Sequence, residues 1–284
     1  MKGRSPAEVE EIWRTYLTTG VIRGVHLPPG VTARDVARFL RRLPDSPRCK
    51  LCYVPFRGPG GWIARRLLDR APSKLNPLVC NICDRFVMQN QGGAEVELTM
   101  LFGDVRGSTA LAEKLGPGEF RRLINRYFLT VSDVLIHADA LMDKLAGDGV
   151  AAFFAPGIAG QQYAARALEA ARAMLRATGH EDAAGPWIPI GIGLHTGTAF
   201  VGAVGAERGR ADITALGDTV NVAARLAAEA GPGEIVASTA TLRAAGLAAE
   251  GGETRQLQLK GRSEPVEAVV LTARSPQGAA GGAA

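Results

Sequence analysis

The sequence contains no long apolar run. No stretch approaches the roughly 18 consecutive apolar residues that a membrane-spanning helix requires, although 46% of the residues are hydrophobic. Residues 1–13 include basic side chains but no apolar run after them, so they do not match a secretory signal. We therefore expect a cytoplasmic protein that has no membrane partner.

Histidine is rare, and the motifs of several common enzyme classes are missing. The four histidines have no metal-ligand spacing, and we assign His195, in the sequence GLHTG at 193–197, to a structural role at a strand end. The chain lacks a G-x-S-x-G nucleophile elbow, a P-loop and a G-x-G-x-x-G in a strand–turn–helix context. These absences argue against serine hydrolases, P-loop NTPases and dinucleotide-dependent enzymes.

Positive charge is concentrated in the first third of the chain. Residues 1–92 hold 16 Lys and Arg against 7 Asp and Glu, a net charge of +9, whereas the remainder holds 17 against 21, a net charge of −4. A basic segment can attract nucleic acid. These arginines are scattered, without aromatic residues at stacking spacing, which is more typical of solvated helix faces. We therefore expect no nucleic-acid partner, and a nucleic-acid-binding protein is the alternative.

The first 92 residues differ in pattern from the others. Residues 7–19 and 32–43 predict short amphipathic helices, the second capped by Thr32. Residues 44–92 are rich in proline and glycine and predict irregular structure. We predict a helical segment at 1–45, a four-cysteine segment at 46–92, a large domain at 93–273 and a disordered, low-complexity tail at 274–284.

The large domain shows strand and helix patterns in turn. Val96, Leu98, Met100 and Phe102 alternate along the chain, which predicts a strand. The predicted elements are a strand ending near 102, a helix capped by Ser108 or Thr109 and running to about 137, strands at 141–145 and 150–154 joined by a hairpin turn, a helix at 159–178, strands at 188–195 and 198–204, a helix at 218–230, a strand at 235–238, a short helix, and strands at 255–260 and 265–272. This order predicts an α+β fold with a ferredoxin-like split βαβ sheet.

Two aspartates lie where strands of this sheet are expected to end. Asp104 follows the first strand in the sequence FGDVRGST, residues 102–109, and Asp148 lies in the hairpin sequence KLAGDG, residues 144–149. The first and central strands of such a sheet are neighbours, so both carboxylates can share divalent cations, and Mg²⁺ prefers carboxylates together with substrate phosphates. Each aspartate alone is more typical of a cap or a turn, but the joint context favours a metal-binding pair.

Two further sequences suit a phosphorylated substrate. The small-residue segment RGS, residues 106–108, follows Asp104 and opens a predicted helix, so its backbone N–H groups can approach phosphate oxygens. The sequence GDTVNVAAR, residues 217–225, places Asn221 and Arg225 four residues apart, which is one face of a helix. Apolar neighbours surround this polar pair, which favours a semi-buried functional face over a solvated one.

Together these sequences resemble the catalytic domain of the class III adenylate and guanylate cyclases, from about residue 95 to residue 271. The resemblance implies that Asp104 and Asp148 bind two Mg²⁺ or Mn²⁺ ions, one activating the ribose 3′-hydroxyl and the other holding the triphosphate. It also implies that Asn221 orients the ribose and that Arg225 stabilises charge developing at the α-phosphate. The residues implied to bind phosphate are Val105, Arg106, Gly107, Ser108 and Thr109, together with Lys260 in the turn between the last two strands.

The resemblance also assigns the residues that bind the base. Lys144 precedes Asp148 by four residues, as the adenine-selecting lysine of adenylate cyclases does, and a lysine can donate to the N1 acceptor of adenine. The partner position falls on Thr214, since Asp212 aligns only with a shift, and a lysine–threonine pair is typical of one bacterial subgroup. Guanylate cyclases typically carry an acidic residue in place of the lysine, so ATP is the expected substrate. The alternative for Lys144 is an ordinary strand-edge lysine.

A homodimer follows from the same resemblance. In the family, the metal-binding aspartates come from one subunit, and the lysine–threonine and Asn/Arg pairs come from the other. The expected function is conversion of ATP to 3′,5′-cyclic AMP and pyrophosphate. The alternatives are a guanylate cyclase and a non-catalytic nucleotide- or anion-sensing module. Either Arg208 or Arg210 is expected to contact phosphate, and the sequence does not choose between them.

The four cysteines form a C-x₂-C-x₂₇-C-x₂-C pattern, with Cys49 and Cys52 in one pair and Cys80 and Cys83 in the other. Two such pairs can hold one tetrahedral ion, and a segment with little core of its own is often stabilised in this way. We expect a structural Zn²⁺, with an iron–sulfur cluster or a redox dithiol as alternatives. Structural disulfides are not expected in a reducing compartment.

Overall fold

The computed structural model describes residues 4–22, 30–44, 46–205, 211–248, 252–258 and 264–273. These residues belong to two compact units. The first unit consists of the residues up to Val96 together with Ala155–Gln161 and Ala199–Leu216. The second unit consists of Glu97–Phe154, Gln162–Thr198 and the residues from Gly217 onward. The domain boundaries predicted after residues 45, 92 and 273 stay predictions.

Helices and strands follow one another along most of the described chain. The elements are α1 (Pro6–Thr19), α2 (Ala33–Arg41), α3 (Gly58–Leu67), α4 (Asn81–Gln89), β1 (Gly93–Val105), α5 (Ser108–His137), β2 (Leu141–Ala146), β3 (Gly149–Phe154), α6 (Pro156–Ala159), α7 (Tyr163–Ala177), β4 (Ile190–Gly205), β5 (Ala211–Leu216), α8 (Asp218–Glu229), β6 (Ile235–Ser238), α9 (Thr239–Ala244), β7 (Glu253–Leu257) and β8 (Val266–Leu271). No described helix has an apolar stretch of the length that spanning a bilayer requires.

Capping boxes begin the first two helices of the first unit. The Ser5 hydroxyl accepts from the Glu8 N–H while the Glu8 carboxylate accepts from the Ser5 N–H. Thr32 and Asp35 repeat this arrangement at the start of α2. Each box satisfies backbone donors that the first turn of a helix would otherwise leave unpaired. The predicted N-terminal helices and the Thr32 cap are therefore confirmed.

The prediction of irregular structure for residues 44–92 is wrong, because α3 and α4 lie within this segment. Helix α3 begins with the sequence GPGG, which is typical of a turn. Its Gly60 and Gly61 lie so close to the backbone of Pro44 and Phe56 that a Cβ atom at either glycine would overlap it. Close tertiary packing at these glycines therefore outweighs their low intrinsic helix propensity.

Aromatic side chains join α1 to α4 within the first unit. Trp13 is fully buried, and its indole N–H donates to the Asn90 carbonyl at 2.8 Å. The Trp13 and Phe86 rings meet edge to face with centroids 5.3 Å apart, and Tyr16 contacts Phe86 in the same way at 5.9 Å. The four-cysteine segment thus shares an aromatic core with α1, which its own composition does not reveal.

One mixed sheet contains the strands in the order β2-β3-β1-β4-β6-β8-β7, with β5 paired to β4. Most neighbours are antiparallel, whereas β4 and β6 run parallel. The elements β1, α5, β2, β3, α7 and β4 give the order of a split βαβ sheet, in which β3 lies between β2 and β1. The predicted α+β, ferredoxin-like fold is confirmed.

Three features of the chain differ from the predicted elements. The strands predicted at 188–195 and 198–204 form a single strand, β4, and β5 is an additional strand. Helix α5 is broken at Gly116, whose φ of 73° and ψ of 164° are not helical, before Pro117, which lacks a backbone donor. Part of the strand predicted at 255–260 and the predicted tail at 274–284 lie outside the described residues.

Candidate active site

The β1 and β3 strands bring Asp104 and Asp148 together in the second unit. Asp104 lies opposite Gly149 in the antiparallel pairing, directly beside the turn residue Asp148. Gly147 makes this turn possible with a φ of 64°, a left-handed conformation that glycine adopts without steric cost. A Cβ atom on Gly149 would lie 3.4 Å from the Asp104 Oδ1. The strand pairing expected from the sequence is therefore present.

Mutual repulsion between these carboxylates makes the site suitable for a cation. Burial raises the pKa of Asp104, and the negative charge of Asp148 raises this pKa further. The Arg106 guanidinium opposes that rise, since its Nη2 donates to the Asp104 Oδ2 at 2.6 Å. Two adjacent carboxylates, one of them with a raised pKa, match the oxygen ligands that Mg²⁺ and Mn²⁺ prefer.

Tyr127, in α5, lies close to this site and is not among the site residues predicted from the sequence. Its side chain is fully buried, and its hydroxyl has no hydrogen-bond partner among the described residues. This hydroxyl lies 3.4 Å from the position that a Cβ atom on Gly103 would take. Burial, with the charges of Asp104 and Asp148, raises the pKa of Tyr127. The neutral hydroxyl is thus a buried polar group close to the carboxylate pair.

The loop from β1 to α5 presents a helix N-terminus beside Asp104. The N-cap is Gly107, with a φ of 67°, so the prediction of Ser108 or Thr109 as the cap is wrong. No side chain caps this helix, and the first N–H groups of an α-helix have no acceptor within the helix. The backbone N–H of Arg106 donates to the Pro189 carbonyl at 2.9 Å. The donors that suit a phosphate are therefore those of the first turn of α5.

The Arg106 side chain connects this loop to α8. Its Nη1 lies 3.4 Å from the carbonyl oxygens of Ala228 and Ala230, at the C-terminal end of the helix. A cation is favourable there because the last carbonyls of a helix carry partial negative charge. Arg106 therefore contacts both the Asp104 carboxylate and the helix that carries Asn221 and Arg225.

Asn221 and Arg225 lie one turn apart on α8, as the sequence predicts. Asn221 is exposed and Arg225 is half-buried, whereas Val222, Ala223 and Leu226 on the same helix are buried. Lys144 lies in β2 opposite Ala151 and is exposed. Among the described residues, the Lys144, Asn221 and Arg225 side chains make no hydrogen bond or ion pair. These polar groups are therefore available to a ligand or a second chain.

Gly193 in β4 sets the distance between α8 and the sheet. A Cβ atom at this glycine would overlap the Ala227 N and the Ala223 carbonyl of α8. Backbone-to-backbone contact of this kind leaves no space for any side chain. Gly193 belongs to the GLHTG sequence at 193–197, whose local pattern does not indicate this close approach.

We expect Gly193→Ala to lower the melting temperature by about 5 °C, because the added methyl group must push α8 outward, at a typical cost of 1–3 kcal/mol. The displacement moves Asn221 and Arg225, so any turnover that depends on this pair is expected to fall at least about tenfold. Calorimetry and turnover measurements check both effects. Gly118→Ala is the matched control, since a Cβ atom there meets nothing within 4 Å, and it should lower neither property because alanine is the better helix former.

Thr214 lies in β5, which belongs to the first unit, whereas Lys144 belongs to the second. Thr214 pairs with Gly202 of β4, and its hydroxyl donates to the Ala215 carbonyl at 3.4 Å. Asp212 is engaged elsewhere, because its Oδ1 accepts from the Lys50 Nζ at 2.8 Å. The remaining phosphate-binding candidates, Lys260, Arg208 and Arg210, lie outside the described residues.

The four cysteines converge within the first unit. The Sγ atoms of Cys49, Cys52, Cys80 and Cys83 all lie within 4.8 Å of one another. Cys49 and Cys80 are buried and the other two are half-buried. The two pairs of the sequence pattern therefore form one cluster, as predicted.

Comparisons with known proteins agree with this architecture. The chain is 36% identical to an adenylate cyclase of Anabaena cylindrica over 140 residues, which is 45% of this chain and 26% of that protein. The chain therefore spans about a quarter of the length of this curated relative. The crystal structure of the guanylyl cyclase Cya2 superposes with a TM-score of 0.58 at 31% identity, covering 63% of this chain and 93% of that one.

The adenylyl cyclase CyaB from P. aeruginosa superposes with a TM-score of 0.54 at 30% identity, covering 65% of this chain and 98% of that one. The family described as the adenylate and guanylate cyclase catalytic domain matches residues 91–272, which is well over half of the chain. Since this match spans β1 to β8 and includes both aspartates, the chain belongs to the adenylate and guanylate cyclase catalytic domain family.

Proposed function

We propose that this protein is an adenylate cyclase that converts ATP to 3′,5′-cyclic AMP and pyrophosphate at the interface of a homodimer. The observation that carries the proposal is the convergence of Asp104 and Asp148 at the β1 and β3 strand ends, beside the uncapped N-terminus of α5. This arrangement suits a polyphosphate with divalent cations. Both aspartates and the Asn221 and Arg225 pair are present, which favours a catalytic domain over a non-catalytic module on the same fold.

The reaction forms a bond between the ribose O3′ and the α-phosphorus and breaks the bond from the α-phosphorus to the oxygen that bridges to the β-phosphate. The 3′-hydroxyl loses its proton, and pyrophosphate leaves. Asp104 and Asp148 would hold two Mg²⁺ or Mn²⁺ ions, which supply Lewis-acid activation of the hydroxyl and neutralise triphosphate charge. The first-turn N–H groups of α5, with Ser108 and Thr109, bind phosphate oxygens.

Asn221 and Arg225 act on the ribose and the α-phosphate from the partner subunit. The amide of Asn221 orients the ribose so that O3′ faces the phosphorus, and the Arg225 guanidinium donates to the phosphate oxygens that gain charge. The exposure of Asn221 and the absence of partners for either side chain among the described residues support this role. A homodimer then contains two equivalent sites.

Lys144 and Thr214 read the base. An ammonium group donates only, so Lys144 suits the unprotonated N1 of adenine, whereas guanine presents an N1–H donor at that position. The similarity to the adenylate cyclase of Anabaena cylindrica supports ATP as the substrate. The similarity to the guanylyl cyclase Cya2 makes a guanylate cyclase the second candidate. Turnover of ATP and GTP by the purified protein with Mn²⁺ decides between them and also tests for catalysis itself.

We expect Lys144→Glu to lower kcat/KM for ATP much more than kcat/KM for GTP, because a carboxylate accepts from guanine N1–H but faces an acceptor at adenine N1. A change in selectivity of about 1–3 kcal/mol is the usual scale for exchanging buried polar partners. Thr214→Ala should shift selectivity less, in the same direction. Steady-state kinetics with both nucleotides measure these changes.

Lys74→Glu is the charge-matched control, since Lys74 is an exposed lysine of the first unit. Its selectivity between ATP and GTP should equal that of the wild type. A wild-type preference for GTP, or an equal loss with both nucleotides in Lys144→Glu, would contradict the adenine-selecting role.

A further inference from the structure

The spacing of the four cysteine sulfurs matches a single tetrahedral ion. Zn–S bonds of about 2.3 Å place the sulfurs of a tetrathiolate site roughly 3.8 Å apart. Cys52 Sγ and Cys80 Sγ, which come from different pairs, lie 3.7 Å apart, and all four sulfurs fall within 4.8 Å. A disulfide would require about 2.05 Å between two sulfurs.

The same distances argue against a polynuclear iron–sulfur cluster. In such a cluster the cysteines bind different iron atoms, so the thiolates lie outside a core of several atoms and are held farther apart. Four sulfurs within 4.8 Å of one another enclose a space for one ion. Tetrahedral sulfur coordination by four cysteines is the typical environment of structural Zn²⁺.

Hydrogen-bond donors around the sulfurs suit thiolates. The backbone N–H of Cys80 donates to Cys49 Sγ at 3.2 Å, and the backbone N–H of Cys83 donates to Cys80 Sγ at 3.5 Å. The Arg70 guanidinium donates to Cys52 Sγ at 3.2 Å and to Cys80 Sγ at 3.6 Å. Four thiolates around one divalent ion carry a net charge of −2, which these donors and Arg70 offset.

The residue inside the first cysteine pair connects the cluster to β5. Lys50 lies between Cys49 and Cys52, and its backbone N–H donates to the Leu78 carbonyl at 2.9 Å, close to the second pair. Its side chain is 10% exposed, and its Nζ donates to Asp212 Oδ1 at 2.8 Å and to the Ile213 carbonyl at 3.0 Å. The position of Lys50 is therefore fixed by the cysteine pair on one side and by β5 on the other.

A second side chain of the four-cysteine segment binds the start of β5. Asn76 is 2% exposed, and its Nδ2 donates to the Ala211 carbonyl at 3.2 Å. Lys50 and Asn76 thus contact three consecutive residues, 211–213, immediately before Thr214. Buried donors of this kind are costly to leave unpaired, so they order the strand that accepts from them.

We propose that Cys49, Cys52, Cys80 and Cys83 bind one Zn²⁺ ion, and that the cysteine pairs closed by this ion hold β5 in place through Lys50 and Asn76. Loss of the metal then loosens β5. Because β5 carries Thr214, metal loading also adjusts nucleotide binding, a consequence that rests on the proposed function. The metal site and the ordering of β5 do not depend on it.

Metal analysis of the purified full chain tests the first part. We expect about one zinc per chain, no iron with acid-labile sulfide, and loss of the zinc in Cys52→Ser and Cys80→Ser. Co²⁺ substitution of the wild-type protein should give the thiolate charge-transfer absorption and the visible bands of a tetrahedral site. These spectra test the site independently of how well the cysteine variants fold. Less than about a tenth of an equivalent of bound metal, an iron–sulfur cluster, or a disulfide in protein purified without air would overturn the site.

Hydrogen exchange at residues 211–216 tests the second part. We expect chelation of the metal to accelerate exchange of β5 amides about fivefold or more, on the scale of one lost buried hydrogen bond. Lys50→Met should keep one zinc per chain and give the same acceleration, whereas Lys74→Met should exchange like the wild type. Unchanged exchange in both the metal-free protein and Lys50→Met would reject the link to β5, even in a protein that binds zinc.

These readouts separate this proposal from the proposed cyclase function. A protein that holds zinc and shows metal-dependent ordering of β5 but turns over neither ATP nor GTP would retain the inference and reject the activity. An active cyclase with no metal at the cysteines would do the reverse.

Discussion

Asp104→Ala and Asp148→Ala are each expected to lower cyclase turnover to less than about one hundredth of the wild-type rate. The two carboxylates lie side by side at the β1 and β3 strand ends, and removing one deletes a ligand for the cations that would neutralise the triphosphate. A loss of several kcal/mol of charge stabilisation corresponds to a rate reduction of this size. Initial rates with saturating Mn²⁺ and ATP measure it, and a variant retaining a larger fraction would contradict the two-metal assignment.

The melting temperature of Asp104→Asn serves as the folding control, because this substitution removes a carboxylate that lies beside Asp148. The pKa of Asp104 is raised in the folded protein, so its ionisation destabilises the fold as the pH rises above the ordinary value of 3.8. Metal-free Asp104→Asn should therefore melt about 1–3 °C above the wild type at pH 7, and the difference should shrink towards pH 4. Mn²⁺ should raise the melting temperature of the wild type more than that of the variant.

Mixing two inactive variants is expected to restore activity. Asp104→Ala damages the metal side of the shared site, and Asn221→Ala damages the ribose side. A heterodimer of the two contains one site in which both lesions coincide and one site that is intact. If subunits assort at random, half of the dimers are heterodimers, so the mixture should reach about a quarter of the wild-type rate. Turnover after subunit exchange measures the recovery.

A mixture of Asp104→Ala and Asp148→Ala provides the matched control, because each site of that heterodimer lacks one aspartate. This mixture should stay inactive under the same conditions of exchange. If the Asp104→Ala and Asn221→Ala mixture also stays inactive while heterodimers are demonstrably present, the shared-site arrangement is wrong.

The sequence predicts the fold wherever the apolar pattern follows one period over a long stretch. The alternation in β1, the Thr32 cap of α2 and the apolar runs of the β2–β3 hairpin are local features, and the structure confirms them. The order of these elements is enough to predict the split βαβ sheet. The sequence does not predict helix α3, because Gly60 and Gly61 favour a helix here only through their close packing against the backbone of Pro44 and Phe56.

The candidate site was predictable in its chain positions but not in its contacts. The sequence places Asp104 near the end of a strand and Asp148 in a hairpin turn, and the pairing of β1 with β3 then brings them together. The engagement of the Arg106 N–H by Pro189 and the burial of the Tyr127 hydroxyl depend on residues far away in the chain. A local sequence pattern does not indicate partners that lie so far apart in the chain.

The contacts of β5 bear on how the chain can be shortened. The family match begins at residue 91, and a truncated protein designed on that match would keep β5 but lose Lys50 and Asn76. It would expose the Asp212 carboxylate and the backbone acceptors at 211 and 213 that these two side chains now cover. The smallest piece with an intact first unit is thus longer than the region that matches the family. A weakly active short form would then reflect the lost support of β5 and its Thr214, and not the loss of a metal-binding aspartate.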